Sequence, residues 1–383
     1  MNNKVIYVSW VKLTDKYARD YFIDHLLENG VEVEFWDVVA LVREPHNEIG
    51  ELDTNYLRVL QSDYEFENLV QRHENLDAVY VMLITINWNV RFLFQILSKY
   101  KCKTAFLAWG ANPAIAVSRS QSIVTKLIKE PMGFFRKLFG MGCFSLYKLL
   151  GLIKPYNLTF IAGSVLNKGK HFSKKYIQLN SPDYEHFMRS KESADSFCRE
   201  KYVVFLDINM AYNSDLGREG LKTVDPHNYY LSLNRFFTLV EEQHRVKVVI
   251  AAHPKTNPNL NVFDGREVYR LSTAEIVKDA EFVITHHSTS LNYAVLNIKP
   301  CIFIYTNEME ELYPNCRVRS IKLFADYLDA PVCNIDNLSP LDKIVIKQPN
   351  RLLYDNYRYQ FVTSKETENQ SSKDIFLREI NNN

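Results

Sequence analysis

The chain of 383 residues is 46% hydrophobic and 13% aromatic, enough apolar material for substantial cores and, by length, for about two domains. A formal net charge of +1 excludes a protein that binds nucleic acid over its whole surface, while leaving room for a local basic patch. The six cysteines, Cys102, Cys143, Cys198, Cys301, Cys316 and Cys333, have none of the close spacings of a zinc or redox motif and read as the reduced thiols of a cytoplasmic protein.

The amino-terminal "KVIYVSW" is too short and too quickly followed by charge for a signal peptide or a membrane span, and is expected to be the first strand. A helix ending near Asn29-Gly30 follows, then "VEVEFWD", another helix, "DAVYVMLITI", another helix and "KTAFLAWG". Strands alternating with helices imply parallel strands joined by crossover helices, hence an open doubly wound sheet.

From Ser118 to Tyr156 the pattern changes, with Arg119, Lys126, Lys129, Arg136, Lys137, Lys148 and Lys154 set among Phe134, Phe135, Leu138, Phe139, Phe144, Leu149 and Leu150. Basic and aromatic residues interleaved in this way suit either a solvated helix face or an interfacial surface docked on an anionic membrane. A polar stretch around Ser181 to Glu200 reads as a linker.

The alternation then resumes: "KYVVFLDI", a helix over Tyr229 to Gln243, "VKVVIAAHP", a helix from about Thr273, "EFVITHH", a helix, and "KPCIFIY". The terminal "TSKETENQSSKD" is polar and expected to be exposed. The expected division is an N-terminal Rossmann-like acceptor lobe over 1–185 containing the basic segment 118–156, a C-terminal Rossmann-like donor lobe over 200–350, and a helix or tail over 351–383.

Two strand ends in the second half carry chemistry. "VITHHSTSLNYAVLN" runs from the strand residues Val283 and Ile284 through His286, His287, Ser288, Thr289 and Ser290 into Leu291, Ala294 and Val295 at helical spacing. Such a turn lies at the carboxyl edge of a sheet, where unpaired helix N–H groups and hydroxyls can meet an anion; equally, Ser288 or Thr289 can serve as a helix cap. "VVIAAHPKTN" ends another strand at His253-Pro254, placing an imidazole at the cleft if both turns face one ligand across neighbouring edges. Imidazole and hydroxyls together suit a phosphate without a metal. Ser272 stands three residues before Glu275 as in a capping box, and a carboxylate there can also accept the hydroxyls of a ribose.

These residues resemble the bacterial sialyltransferases of the GT-B fold and related capsule-building transferases, which join two Rossmann-like lobes across a cleft and carry an HP dipeptide, an upstream-helix glutamate and a later hydroxyl pair. The match is chiefly over Lys247 to Tyr305. The resemblance implies that His253 with Ser288-Thr289, or Thr289-Ser290, binds the phosphate of a CMP-activated sugar acid and that Glu275 holds its ribose; Pro254, Lys255 and His287 complete the donor set. It also implies metal-independent transfer of a sialic, pseudaminic, legionaminic or Kdo-type residue to a surface glycan or glycolipid, with inversion and with no cofactor beyond the donor substrate; the scattered cysteines and the basic segment set the expected location in the cytoplasm, or peripherally on the inner membrane.

The family's acidic-acidic-glycine motif, which supplies its general base, does not occur in this chain; Asp207, ending "YVVFLD", and Asp215 in the following loop are the candidates. Ser9, Trp10, Trp88, Asn89, Trp109 and Asn112 at first-lobe strand ends are the expected acceptor contacts, through stacking and polar edges, with core packing the alternative for the tryptophans. Retaining enzymes with UDP- or GDP-sugars place a glutamate seven residues before the proline opening the next strand, where this chain has Tyr293 before Pro300. UDP-sugar epimerases carry Asp-Ser-Gly-Gly where this chain has "HHSTS". A polyol-phosphate transferase with a CDP-activated donor, and a non-catalytic nucleotide-sugar-binding protein, stay open.

Overall fold

The computed structural model describes residues 4–42, 52–73, 77–109, 142–165, 171–192, 200–213, 216, 221–253, 256–257, 261–270 and 273–382. They form two units, one built from the residues up to Asn180 together with those from Lys365 onward, the other from Ser181–Ser364.

The first unit is a seven-stranded sheet of β1 (Lys4–Ser9), β2 (Glu32–Asp37), β3 (Leu57–Val59), β4 (Ala78–Met82), β5 (Lys103–Ala108), β6 (Tyr156–Ala162) and β7 (Ser173–Leu179), in the order β3-β2-β1-β4-β5-β6-β7. All its pairings are parallel. The second unit holds β8 (Tyr202–Leu206), β9 (Lys247–Ala251), β10 (Val268–Tyr269), β11 (Val283–Thr285), β12 (Cys301–Tyr305) and β13 (Val332–Asn334), again all parallel, in the order β10-β9-β8-β11-β12-β13. Each sheet runs outward from its first strand in both directions, so both are doubly wound and Rossmann-like, as expected of a GT-B chain. Strands β1, β4, β8 and β11 are buried along their whole length, which is why they read as mainly apolar runs rather than alternating ones.

Side-chain caps punctuate the crossover helices. Thr14 accepts from the Tyr17 N–H, Ser62 from Glu65, and Asp225 from Asn228 at the start of the helix Pro226–His244, whose first residue is a proline.

Charge is buried on β1 and β2. Lys4 and Glu34 are 6% and 5% exposed; the Lys4 ammonium donates to Glu34 Oε1 at 2.6 Å, while Trp36 Nε1 and Arg58 Nε donate to Glu34 Oε2 at 2.7 and 2.8 Å. Burial by itself would raise the Glu34 pKa; hydrogen bonds from Lys4, Trp36 and Arg58 and the charge of Lys4 overcome it and hold the carboxyl at about 2.

Three sequence expectations change. The stretch read as a linker contains the helix Pro182–Glu192, which buries Tyr184, Phe187 and Ser190 in the second unit, and Asp183 accepts from Asn292 Nδ2 at 2.7 Å and from the Tyr293 hydroxyl at 3.1 Å. Its apolar residues are few but correctly spaced. The segment 351–383 is not one tail: the helix Arg351–Tyr357 lies in the second unit, whereas the helix Ser372–Asn381 packs Ile375, Phe376 and Ile380 into the core of the first. The polar run before that helix is also partly buried, at Thr363, Thr367 and Ser372. Hydroxyls and amides there satisfy one another: the Asn180 N–H donates to Ser372 Oγ at 2.9 Å, and Asn180 Nδ2 donates to the carbonyls of Thr367 and Gln370 at 3.0 and 2.9 Å. Ser372→Ala leaves the Asn180 N–H without that acceptor and is expected to cost about 1–2 kcal/mol, read as a lower urea midpoint at unchanged slope.

Of the basic amphipathic segment, 118–141 lies outside the described residues. The helix at 142–149 and the turn after it expose Leu146, Leu149, Leu150 and Leu152, Leu149 at 83%, and Lys148 Nζ sits 4.4 and 4.7 Å from the ring centres of Phe144 and Phe172. Among the described residues no helix is long and apolar enough to cross a membrane.

Candidate functional site

In the second sheet β8 and β11 are neighbours whose onward connections run in opposite directions. Ligands of doubly wound sheets bind outside the carboxyl ends at such a reversal. Here those ends are Asp207 to Asn209 after β8 and His286 to Ser290 after β11, with His253 after β9.

The strand order corrects one expectation. The His253 turn and the "HHSTS" turn do not leave adjacent strands, because β8 lies between β9 and β11 and puts two strand spacings, roughly 10 Å, between them. Asp207 fills the middle position. It is 4% exposed; its Oδ1 accepts the Asn209 N–H at 2.8 Å, and its Oδ2 accepts the Thr256 hydroxyl at 2.9 Å and the His253 N–H at 3.4 Å. Asn209, at φ 52°, turns the chain in the left-handed region that asparagine tolerates. These contacts give Asp207 a bracing role: it fastens the β9 turn to the end of β8. A buried carboxylate with both oxygens occupied is not presented as a base to an acceptor hydroxyl. The other candidate base, Asp215, lies outside the described residues.

The two histidines of the β11 turn differ. His286 is fully buried against the edge of Phe205. Its Nδ1 is 2.6 Å from the Ile304 carbonyl, which only accepts, so the proton sits on Nδ1 and Nε2 receives the Tyr229 hydroxyl at 2.8 Å. Burial lowers its pKa to about 4, against a smaller upward pull from the Ile304 carbonyl, making it a neutral piece of core. His287 is also held neutral, at about 3, by burial first and then by the Arg317 guanidinium and His286; Arg317 Nη1 stands 3.3 Å from its Nε2.

Beyond the histidines, Ser288 Oγ accepts the Ser290 N–H at 3.2 Å. The N–H groups of Leu291, Asn292 and Tyr293 are spent on the carbonyls of Ser288, Thr289 and Ser290. The helix Leu291–Leu296 therefore begins with its amides largely engaged, contrary to the expectation of unpaired N–H groups, and Ser290 makes no side-chain cap. What the turn offers are the hydroxyls of the partly exposed Ser288 and Ser290 and the exposed Thr289. Glu275 is exposed in the first turn of the helix Thr273–Asp279. Ser272, Pro254 and Lys255 fall outside the described residues. Among those described, no group of three or more His, Cys, Asp or Glu side chains is placed to hold a metal ion.

The first unit places its expected acceptor residues less favourably for stacking. Ser9 is buried, and its Oγ donates to the Val11 carbonyl at 2.8 Å and accepts the Val11 N–H at 3.0 Å, closing a turn. Trp109 stacks on Tyr21 at 6.0 Å, meets Phe22 edge-on and packs against the core. Trp88 carries the Arg91 guanidinium 4.2 Å from its ring centre and meets Tyr147 edge-on. Trp10 is partly exposed, Asn89 is exposed with its N–H on Asn87 Oδ1 at 3.0 Å, and Asn112 lies outside the described residues. A cavity of about 340 Å³ opens at the carboxyl side of this sheet, lined by Leu41, Gln61, Ser62, Asp63 and Phe92, none of them an expected contact.

Thr256, Tyr229 and Arg317 went unmarked in the sequence reading of the site. Thr256 stands in the same "HPKT" run as His253, so position was its signal; Tyr229 and Arg317 belong to no motif.

No family model and no curated protein matches the chain. Solved structures do. The UDP-GlcNAc 2-epimerase of Methanocaldococcus jannaschii is 12% identical over 99% of each chain, with a TM-score of 0.47. Acinetobacter baumannii MurG is 9% identical over 100% of each chain, at 0.44. The spinosyn forosaminyltransferase SpnP is 12% identical over 100% of this chain and 95% of its own, at 0.41.

Proposed function

We propose that the protein is a glycosyltransferase that takes a sugar acid from a CMP-activated donor to a glycan or glycolipid acceptor, with the donor nucleotide on the second unit. The observation that carries this reading is the brace at Asp207, which holds the His253 turn to the end of β8 while the Ser288-Thr289 hydroxyls lie at the end of β11, the two flanking a sheet reversal. In the reaction an acceptor hydroxyl oxygen bonds to the anomeric carbon and the bond from that carbon to the donor phosphate oxygen breaks. The phosphate leaves with the bonding pair as CMP, and the acceptor proton passes to a base. Charge growing on the leaving phosphate meets donors from His253, Ser288 and Thr289, so a single phosphate needs no divalent ion under this reading. The base is not assigned to Asp207. The cavity of the first unit is the acceptor site favoured by its position at the carboxyl edge.

The test couples titration calorimetry with CMP, CDP, UDP and GDP to a transfer assay. CMP is expected to bind best, and His253→Ala and the Ser288→Ala/Thr289→Val double variant are each expected to lose turnover on the order of 100-fold, with smaller losses in CMP affinity. Preference for UDP or GDP would overturn the donor class, and CDP preference would favour a polyol-phosphate donor. Near-normal transfer by both variants would return the "HHSTS" turn to a purely structural role.

A further inference from the structure

One helix of the first unit is turned inside out. Residues 142–149 form it; Leu146 and Leu149, with Leu150 just after them, are spaced to share one face, and all three point to solvent together with Leu152 of the following turn, their exposures running from 46% to 83%. The charged member of the same helix folds inward: Lys148 is half-buried, its ammonium 4.4 and 4.7 Å from the ring centres of Phe144 and Phe172. The leucines are held out by the backbone. Gly151, at φ 70°, ends the helix in the left-handed region; its N–H reaches the Lys148 carbonyl at 3.1 Å, and the next N–H, of Leu152, reaches the Tyr147 carbonyl at 3.0 Å. This pair of bonds is the closing motif that glycine permits at a helix C-terminus. Beyond it Ile153 is fully buried and the Lys154 N–H donates to Ser98 Oγ at 2.9 Å, while before it Tyr147 meets Trp88 edge-on, so the chain is fastened on both sides of the apolar patch.

Charge around the patch has one sign. No Asp or Glu occurs in the sequence between Glu130 and Asp183, a stretch that carries Lys148, Lys154 and Lys174. Lys154 and Lys174 are exposed, Lys174 standing two residues beyond the Phe172 ring that Lys148 meets. Exposed Lys101 is tied to the same corner, because its N–H bonds the Ser98 carbonyl at 3.2 Å as the Lys154 N–H bonds the Ser98 hydroxyl. Glu67 and Asp77 are already paired with Lys99 at 2.6 Å and Lys103 at 2.7 Å. Four partly exposed leucines make a patch on the order of a few hundred Å², well short of the roughly 800 Å² per partner of a stable protein interface. A fixed apolar wedge ringed by lysines instead matches the boundary between lipid headgroups and acyl chains. We propose that this corner of the first unit docks on an anionic membrane, Leu146, Leu149, Leu150 and Leu152 entering the interface while Lys101, Lys154 and Lys174 meet lipid phosphates. Lys148, whose apolar stem already lies along aromatic rings, can extend its ammonium to the headgroups. The docking does not depend on which nucleotide the second unit takes.

The experiment is flotation of the full chain with vesicles of phosphatidylcholine alone and of phosphatidylcholine mixed equally with phosphatidylglycerol, for wild type, Leu149→Ser/Leu150→Ser and Lys154→Gln/Lys174→Gln. Urea midpoints and sedimentation velocity are measured on the same samples. Wild type is expected to bind the mixed vesicles, to bind the neutral ones roughly 10-fold or more weakly, and to let go of the mixed ones as salt is raised. The leucine variant should bind the mixed vesicles roughly 10- to 100-fold more weakly than wild type, having lost the insertion of two apolar side chains. The lysine variant should lose roughly 10-fold, with its residual binding less sensitive to salt. Both pairs of substitutions fall on exposed side chains, so unfolding midpoints should stay at the wild-type value. Equal binding of wild type to neutral and anionic vesicles, wild-type affinity in either double variant, or no binding at all would overturn the membrane surface. A concentration-dependent dimer that the leucine variant abolishes, with no vesicle bound, would overturn it in favour of a contact between copies of this chain.

Discussion

Asp207→Ala is expected to lose about 4 kcal/mol of unfolding free energy and, with it, nucleotide binding. The carboxylate serves the N–H groups of Asn209 and His253 and the Thr256 hydroxyl in a buried setting. Each donor stranded without water costs about 1–3 kcal/mol, and the weaker contact to His253 puts the sum toward the lower end of the range for three. Asp207→Asn keeps the shape but offers one carbonyl oxygen where two oxygens were needed, so its amide N–H₂ must face a donor; about half the loss is expected. Urea unfolding followed by circular dichroism, with CMP calorimetry on the same samples, measures both effects. If Asp207→Asn unfolds like wild type, binds CMP normally and fails only in transfer, the residue is the general base and the bracing role is wrong.

Glu34→Ala is expected to cost the first unit a comparable amount, about 3–5 kcal/mol, because removing one member of a buried ionic group leaves the others desolvated. Lys4 would keep only the solvent-exposed carboxylate of Glu32 at 2.7 Å, and Trp36 Nε1 and Arg58 Nε would lose their acceptor. The same network sets a pH dependence. With the folded carboxyl at about 2 against an ordinary value of 4.5, the unfolded chain binds the proton more tightly. Glu34 therefore stabilises the fold fully above about pH 4.5, and that contribution drains away as pH falls toward 2. Unfolding free energies at pH 7, 4, 3 and 2 should show wild type declining faster than Glu34→Gln over this window. Equal stability of Glu34→Ala and wild type at pH 7 would show that the ion cluster contributes nothing net.

The doubly wound character of both sheets was legible because central parallel strands are buried on both faces, and runs such as "KVIYVS" and "YVVFL" leave little else to be. The helix Pro182–Glu192 was missed because Tyr184 and Phe187 are its main apolar anchors in a charged sequence, and a helix with so narrow a buried stripe resembles a linker. In the site, the turns at His253 and His286 were visible as places where apolar runs stop. Their spatial relation was not, since chain order does not reveal that β8 passes between β9 and β11. Nor does a doublet of histidines say which member is core: Tyr229 and Ile304, remote in sequence, make His286 the structural one. Arg317 belongs to an irregular turn without periodicity, so only its approach to His287 marks it.

The return of Ser372–Asn381 to the first unit bears on how the protein is made. A ribosome releases the residues up to Asn180 long before Ile375, Phe376 and Ile380, which complete the core around Phe22 and Phe160. The described residues of the second unit all lie between Ser181 and Ser364, so they have emerged before that helix is made. The lobe that is translated first is thus the last to be finished, and until then the apolar flank that Ile375, Phe376 and Ile380 cover stays open.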